Sequence, residues 1–194
     1  CSLRWLEEAR ERLERRGIEL IIDADNPIDR CWADRPPASP RPALLLGEES
    51  AGESSVHKRA RIGAAVAEAG ADAYLVFAPD AISWLLNVRG RDVPRLPVLL
   101  AFAILETDGR LHLAVDPARI PEGFADHVGE GVELYPETHG EALLRRWGDR
   151  RVLADPAAAS AWTQLLLRDT GATLVAAPDP VELAKACKNA VEIE

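Results

Sequence analysis

The sequence lacks the features that mark several large classes of protein. Its three cysteines, Cys1, Cys31 and Cys187, lie far apart in 194 residues. They form neither a disulfide framework nor a CxxC metal or redox pair, which favours a reducing compartment. No apolar run approaches the roughly 20 residues that a membrane-spanning helix needs, and no secretory leader opens the sequence. We therefore expect a cytoplasmic protein that does not bind membranes.

An excess of positive charge is also missing. The 23 Lys and Arg residues face 32 Asp and Glu residues, so the formal net charge is −9. Nucleic acids and anionic membranes need a basic face, and we expect neither as a partner. Most arginines alternate with acids, as in LEEARERLERRG, a pattern typical of a solvated helix face. Hydrophobic residues make up 47% of the sequence, which predicts a folded chain.

Sequence motifs of a complete active site are absent as well. The sequence contains no HExxH, GxSxG, P-loop or GxGxxG motif. Asp23 and Asp34 could suggest a carboxylate site, but no further ligand accompanies them, and we interpret the pair as a coincidence. The histidines lack metal-ligand spacing, and we expect structural roles for all of them: His57, His112, His127 and His139. We predict no catalytic residue and no metal ligand in this sequence.

Strands and helices alternate along the chain, with one hairpin at Asp108-Gly109. This order predicts a three-layer α/β/α fold with a mixed sheet. The predicted strands span 18–23, 71–77, 97–105, 111–115, 132–135, 151–154 and 172–176. The predicted helices span 3–16, 54–69, 79–86, 121–128, 140–147 and 156–170, with a last helical run from Asp179.

A proline-rich segment suggests a domain boundary. Residues 26–42 carry five prolines and should form an extended, irregular connector. We expect residues 1–45 to be the tail of a preceding domain and residues 46–178 to form the α/β/α domain. The sequence starts without a methionine and ends in VEIE with no helix stop, so we expect a piece of a longer protein.

The stretch WLLNVRGRDVPRLPVLLAFAIL interrupts an apolar region with four charges and two prolines. Gly90 permits a positive φ or a close backbone approach, and the prolines keep the chain out of a central ladder. One interpretation is a solvated connection between a buried helix and a buried strand. The other is a rigid frame that presents Arg89 and Asp92 toward a polar partner.

Four stretches, in the same order, resemble the three-domain Xaa-Pro aminopeptidases, also called aminopeptidase P. The loop stretch resembles the family's SIAWLLNIRGSDVPHNPVVLAYA-type segment, although Arg91 stands where Ser is usual and Arg95-Leu96 where His-Asn is usual. The connector is similar to the family's NxVDxxWxDRPxxP segment. The other two matching stretches are ESSVHKRARIGAAVAEAGADAYLV and DPVELAKACKNAVEIE. The resemblance covers the chain from about residue 20 to its end.

The resemblance implies a creatinase/prolidase N-terminal type fold that carries no chemistry of its own. In that family a separate C-terminal domain holds two divalent metal ions (Mn, Zn or Co) between two Asp, one His and two Glu. It removes the N-terminal residue that precedes proline. Residues 179–194 would then begin the helix that leads into the catalytic domain. This sequence would bind no cofactor, and Arg89 and Asp92 become candidates for the wall of the substrate cleft.

The implied partners are peptides with proline in second position, the protein's own catalytic domain, and a second copy in a homodimer. An alternative function is a peptide- or protein-binding module of a catalytically degenerate homologue, resembling a histone-chaperone subunit. A prolidase or creatinase relative is disfavoured because those proteins have a single N-terminal domain and lack the proline-rich connector.

Overall fold

A computed structural model describes residues 1–23, 26–35 and 40–193. The helices are α1 Leu3–Glu14, α2 Pro27–Cys31, α3 Glu48–Ala51, α4 Ser55–Glu68, α5 Pro79–Leu85, α6 Phe124–Val128, α7 Gly140–Arg145, α8 Ala161–Asp169, α9 Pro180–Ala186 and α10 Ala190–Ile193. The strands are β1 Leu44–Leu45, β2 Ala73–Val76, β3 Val88–Arg89, β4 Ala101–Glu106, β5 Leu111–Val115, β6 Val132–Tyr135, β7 Arg151–Ala154 and β8 Thr173–Ala176. Two short 3₁₀ turns, Pro117–Arg119 and Glu137–His139, follow β5 and β6.

Six strands form one mixed sheet in the order β6-β5-β4-β2-β7-β8. Strand β4 is antiparallel to both β2 and β5, while the pairs β5-β6, β2-β7 and β7-β8 are parallel. Five strands therefore share one direction and end at one carboxyl edge. The predicted hairpin is confirmed, since β4 and β5 pair across the turn that contains Gly109, whose φ is 89°.

Helices cover both faces of this sheet, as the predicted three-layer α/β/α class requires. Side chains alternate along β2, so Tyr74 and Val76 join one core while Ala73 and Leu75 join the other. The first core packs under α4, α5, α6 and α9, and the second under α7 and α8. The fold-class prediction is confirmed.

The predicted strand at 18–23 is wrong. Residues 18–23 have no regular secondary structure, and Ile18, Ile21 and Ile22 are exposed. A strand needs a neighbour to take up its backbone hydrogen bonds. Within the described ranges, no strand pairs with this segment.

Several other elements are shorter than predicted, and in two of them local partners take up the backbone groups. Strand β4 starts at Ala101 rather than at residue 97, since the Leu99 N–H donates to the Ser83 hydroxyl over 2.8 Å instead of to a strand. Helix α8 starts at Ala161 rather than near residue 156. The Asp155 carboxylate accepts from the Ala157 N–H at 2.7 Å and holds a separate turn there.

The last helical run divides into α9 and α10. Asp179 caps α9 by accepting from the Val181 N–H at 2.7 Å, as its position predicts. Asn189 and Glu192 then form a capping box, with each side chain accepting from the other residue's N–H at 3.0 Å. This reciprocal cap begins a new helix at Ala190.

The N-terminal segment packs on the α/β/α unit at two places. Leu3 and Leu6 of α1 are buried against Ala161 of α8. Strand β1 pairs with β3 in a second, two-stranded sheet, where Leu44 lies opposite Arg89. The division of the chain at residues 45 and 178 stays a prediction. In the described part of the chain, no helix has both the length and the apolar composition of a bilayer span.

Candidate functional site

The charged loop, residues 87–97, lies at the carboxyl edge of the five parallel strands. It follows β2 and α5, and it leads through the extended residues 98–100 into β4, which enters the sheet from that edge. In open α/β sheets this edge is where ligands usually bind. Loop 87–97 therefore lies at the ligand-binding edge of this sheet type.

Asn87 fixes the start of the loop. Its φ is 52°, in the left-handed region, and its side chain is buried. Its Oδ1 accepts from Lys58 Nζ at 2.7 Å, and its Nδ2 donates to the Glu53 carbonyl at 2.8 Å. Its own carbonyl accepts from the Leu46 N–H at 2.8 Å and lies 3.0 Å from Nε2 of His127. The backbone conformation is thus held by contacts to four separate segments.

Lys58, on α4, is the buried cation of this network, with 2% of its surface exposed. Its Nζ donates to the Trp84 carbonyl at 3.3 Å and lies 4.3 Å from the centre of the Trp84 ring. Burial lowers the pKa of Lys58, and the nearby Arg89 acts in the same direction, while Glu192 and Glu53 oppose it. The lysine is stabilised by neutral oxygens and a π-face rather than by a contacting carboxylate.

Gly90 brings the loop backbone against the strand that follows. A Cβ built on Gly90 would overlap the carbonyl oxygen of Val98. Gly90 does not adopt a left-handed φ, so the need for glycine here comes from the close approach. This confirms one of the two roles expected from the sequence.

Asp92 anchors the middle of the loop. Its Oδ1 accepts from the Arg41 backbone N–H at 3.0 Å, and its Oδ2 accepts from Nε of Arg119 at 2.5 Å. Arg119 donates from Nη1 to Oε1 of Glu137 at 2.7 Å. The side chains of Asp92 and Arg119 expose 9% and 7% of their surfaces. Both oxygens of the predicted site residue Asp92 are thus engaged within the protein.

Arg89 lies between these two anchors and is half-buried. Its Nη1 donates to the carbonyl of Val88, its own neighbour in β3, at 2.9 Å. Within the described residues, its guanidinium forms no ion pair. Arg91 and Arg95 are exposed, and Arg95 adopts a positive φ of 66°. Arg89 and Asp92 therefore share one rigid loop but do not pair with each other.

Sequence reasoning missed the residues that hold the loop, which are Lys58, Asn87 and Arg119. Asn87 stood next to the charged stretch, and a polar residue that ends a buried helix is a signal for a left-handed turn. Arg119 gave no comparable signal, because its partner Asp92 is 27 residues away.

Two of the other polar residues considered from the sequence, Asp23 and His112, have contacts within the protein. Asp23 accepts from Arg30 at 3.0 Å in an exposed ion pair, and Asp34 is exposed. His112 is buried with Nε2 at 2.8 Å from a carboxylate oxygen of Glu106. In the ranges that the structure covers, no three His, Cys, Asp or Glu side chains are arranged to hold a metal ion.

The sequence matches the creatinase/prolidase N-terminal domain over residues 34–192. The chain belongs to this family. The match includes loop 87–97 with its anchors Asn87 and Asp92, and the six-stranded sheet. It accounts for the fold.

The relatives are similar over nearly the whole chain. Aminopeptidase P1 of Arabidopsis thaliana is 29% identical over 208 residues, which cover 93% of this chain and 32% of that protein. A probable Xaa-Pro aminopeptidase P of Coccidioides posadasii (strain C735) is 30% identical over 196 residues, with 95% and 30% covered. The chain thus spans about a third of the length of the relatives it matches.

A solved structure has the same fold. X-prolyl aminopeptidase from Caenorhabditis elegans, described as a cytosolic enzyme with a di-nuclear active site, superposes with a TM-score of 0.87. The alignment covers 99% of this chain and 32% of that one, at 21% identity. This likeness confirms the arrangement of helices and strands, including the N-terminal segment.

Proposed function

We propose that this chain is the non-catalytic part of a metal-dependent Xaa-Pro aminopeptidase. Such an enzyme removes the N-terminal residue that precedes proline in a peptide. The observation that carries the proposal is the similarity to aminopeptidases P along 93% to 95% of the chain. A cytosolic location belongs to the same proposal, supported by the description of the C. elegans protein.

The proposed task of this part is to wall the substrate cleft and position the peptide. Loop 87–97 lies at the carboxyl edge, and its backbone is fixed at Asn87, Gly90 and Asp92. A group held by a rigid frame orients a substrate at a lower entropic cost than a mobile group does. The loop would therefore supply orientation, while bond cleavage takes place elsewhere in the protein.

Arg89 is the loop residue that we propose to contact the peptide. Its charge is not neutralised by an ion pair in the described residues, and a guanidinium binds a peptide carboxylate or backbone carbonyl well. Asp92 belongs to the same wall, but both of its oxygens already accept hydrogen bonds. Its proposed contribution is to hold the loop in place.

The metal ions belong to the part of the enzyme outside this chain. The described residues offer no group of ligands for them. We propose that two divalent ions (Mn, Zn or Co) bind in a C-terminal catalytic domain that packs against this one. A second copy in a homodimer remains a proposed partner.

Two measurements test the function. The 194-residue chain, incubated with Mn²⁺, Zn²⁺ or Co²⁺ and an Xaa-Pro peptide, should produce no free N-terminal residue. The complete protein should release it in a metal-dependent reaction. Turnover by the chain alone would contradict its non-catalytic role. A complete protein without activity, and without two Asp, one His and two Glu beyond residue 194, would favour the peptide-binding alternative.

A further inference from the structure

Arg119 connects four segments at the carboxyl edge of the sheet. Its side chain binds Asp92 of the loop and Glu137 of the turn after β6, while Arg119 itself lies in the turn after β5. Its backbone carbonyl accepts from the Ala43 N–H at 2.9 Å. The two 3₁₀ turns, the loop and the chain entering β1 therefore meet at one residue: the guanidinium binds Asp92 and Glu137, and the backbone carbonyl binds Ala43.

The Asp92 carboxylate depends on this guanidinium. With 9% of its side chain exposed, Asp92 has little access to water, and a buried charge without a partner is strongly unfavourable. Loss of the Arg119 contact would leave Asp92 with the Arg41 N–H as its partner and no neutralising charge, which favours protonation of the carboxylate or its movement toward solvent. Movement of Asp92 displaces Arg89, since only Gly90 and Arg91 lie between them in the chain.

We propose that Arg119 is a positioning residue of the substrate cleft: it fixes Asp92, and through Asp92 it sets where Arg89 meets the peptide. The proposal rests on the proposed function for the role of Arg89. The anchoring of the loop by Arg119 stands on the contacts alone, so the two can be tested separately.

Arg59 provides a matched control. It is also a buried arginine, and it also holds loops, donating to the carbonyls of Gly109, Val128 and Glu130 at 2.6 to 2.9 Å. These contacts lie at the turn between β4 and β5 and before β6, at the sheet edge opposite to loop 87–97. Arg59→Lys therefore makes the same substitution at a buried, hydrogen-bonded arginine without touching the Asp92 anchor.

The first readout is hydrogen exchange in this chain. Arg119→Lys keeps the charge and loses the planar fork, and Asp92→Asn keeps the shape and loses the charge. Each should raise exchange of the amides in loop 87–97 about tenfold, which corresponds to a loss of roughly 1.4 kcal/mol in local stability. Arg59→Lys should raise exchange around Gly109 and leave the loop unchanged. If hydrogen exchange in loop 87–97 does not rise in Asp92→Asn, the loop is not anchored through Asp92. This conclusion holds even if Arg119→Lys does not fold.

The second readout is the kinetics of the complete protein on an Xaa-Pro peptide. Displacement of a binding group should raise KM about tenfold with kcat retained in Arg119→Lys and Asp92→Asn, and Arg59→Lys should change neither. Faster hydrogen exchange in loop 87–97 together with an unchanged KM in Arg119→Lys and Asp92→Asn would refute the positioning role. The aminopeptidase function would still stand. A complete wild-type protein that cleaves no Xaa-Pro peptide would instead refute the proposed function. The hydrogen-exchange result would still show whether Arg119 holds the loop through Asp92.

Discussion

Lys58 donates a hydrogen bond from Nζ to Oδ1 of Asn87 over 2.7 Å, and both side chains are buried. The bond joins α4 to the residue that turns the chain from α5 into the charged loop. The same asparagine side chain donates to the Glu53 carbonyl, so it satisfies a donor and an acceptor that water does not reach. The position of the loop thus depends on a polar contact within the core.

Asn87→Ala should destabilise the protein strongly. The substitution removes both side-chain hydrogen bonds, one of them to a charged group, and we expect a loss of about 2–4 kcal/mol in the free energy of unfolding. Urea denaturation measures this change. The control is Asp149→Ala, since Asp149 has a similar positive φ of 61° but is exposed. Equal losses in the two variants would show that the backbone conformation, rather than the buried network, accounts for the effect.

Lys58 should make stability depend on pH in the alkaline range. Burial lowers its pKa in the folded protein below the ordinary value of 10.5. At pH values between the pKa of Lys58 in the folded protein and its pKa in the unfolded chain, the unfolded chain binds more protons than the folded one. The free energy of unfolding therefore rises with pH in this window. Within this window, the free energy of unfolding of the wild type should rise relative to that of Lys58→Met by up to about 1.4 kcal/mol per pH unit.

The comparison with Lys58→Met removes the contribution of other groups that titrate at high pH. Tyr74, for example, has a pKa raised by burial, and it is present in both proteins. Thermal or urea unfolding at several pH values between 7 and 10 measures the difference. A difference that stays constant across this range would contradict the lowered pKa.

Local sequence patterns predicted the hairpin and two of the short strands. Asp108 and Gly109 predict a tight hairpin turn, and β4 pairs with β5 across it. Strand 132–135 and strand 151–154 were predicted at their observed bounds, because turn residues lie on both sides of these short segments. Ile18 to Asp23 has a similar composition, but whether such a run becomes a strand depends on a neighbour that the local sequence does not specify.

The candidate site could be predicted only in part. The prolines and charges of the loop indicated its position, and Gly90 indicated either a positive φ or a close approach, of which the structure shows the second. The partners of the loop were not predictable, because Lys58 and Arg59 stand in a basic run that looks solvated, yet both are buried. Asp92 and Arg119 lie 27 residues apart, on either side of the β4–β5 hairpin, so no local pattern connects them.

Gly90→Ala tests whether the close approach at Val98 fixes the loop. The added methyl group would overlap the Val98 carbonyl, so the backbone must move, and we expect a loss of about 1–3 kcal/mol in the free energy of unfolding. The displacement should weaken the hydrogen bond from the Leu99 N–H to Ser83, visible as a shifted and less protected Leu99 amide resonance. Gly17→Ala is the control, since a Cβ there meets nothing within 4 Å and its cost comes from its positive φ alone. An unshifted Leu99 amide in Gly90→Ala would mean that the loop accommodates the methyl group without moving, and that its rigidity comes from Asn87 and Asp92.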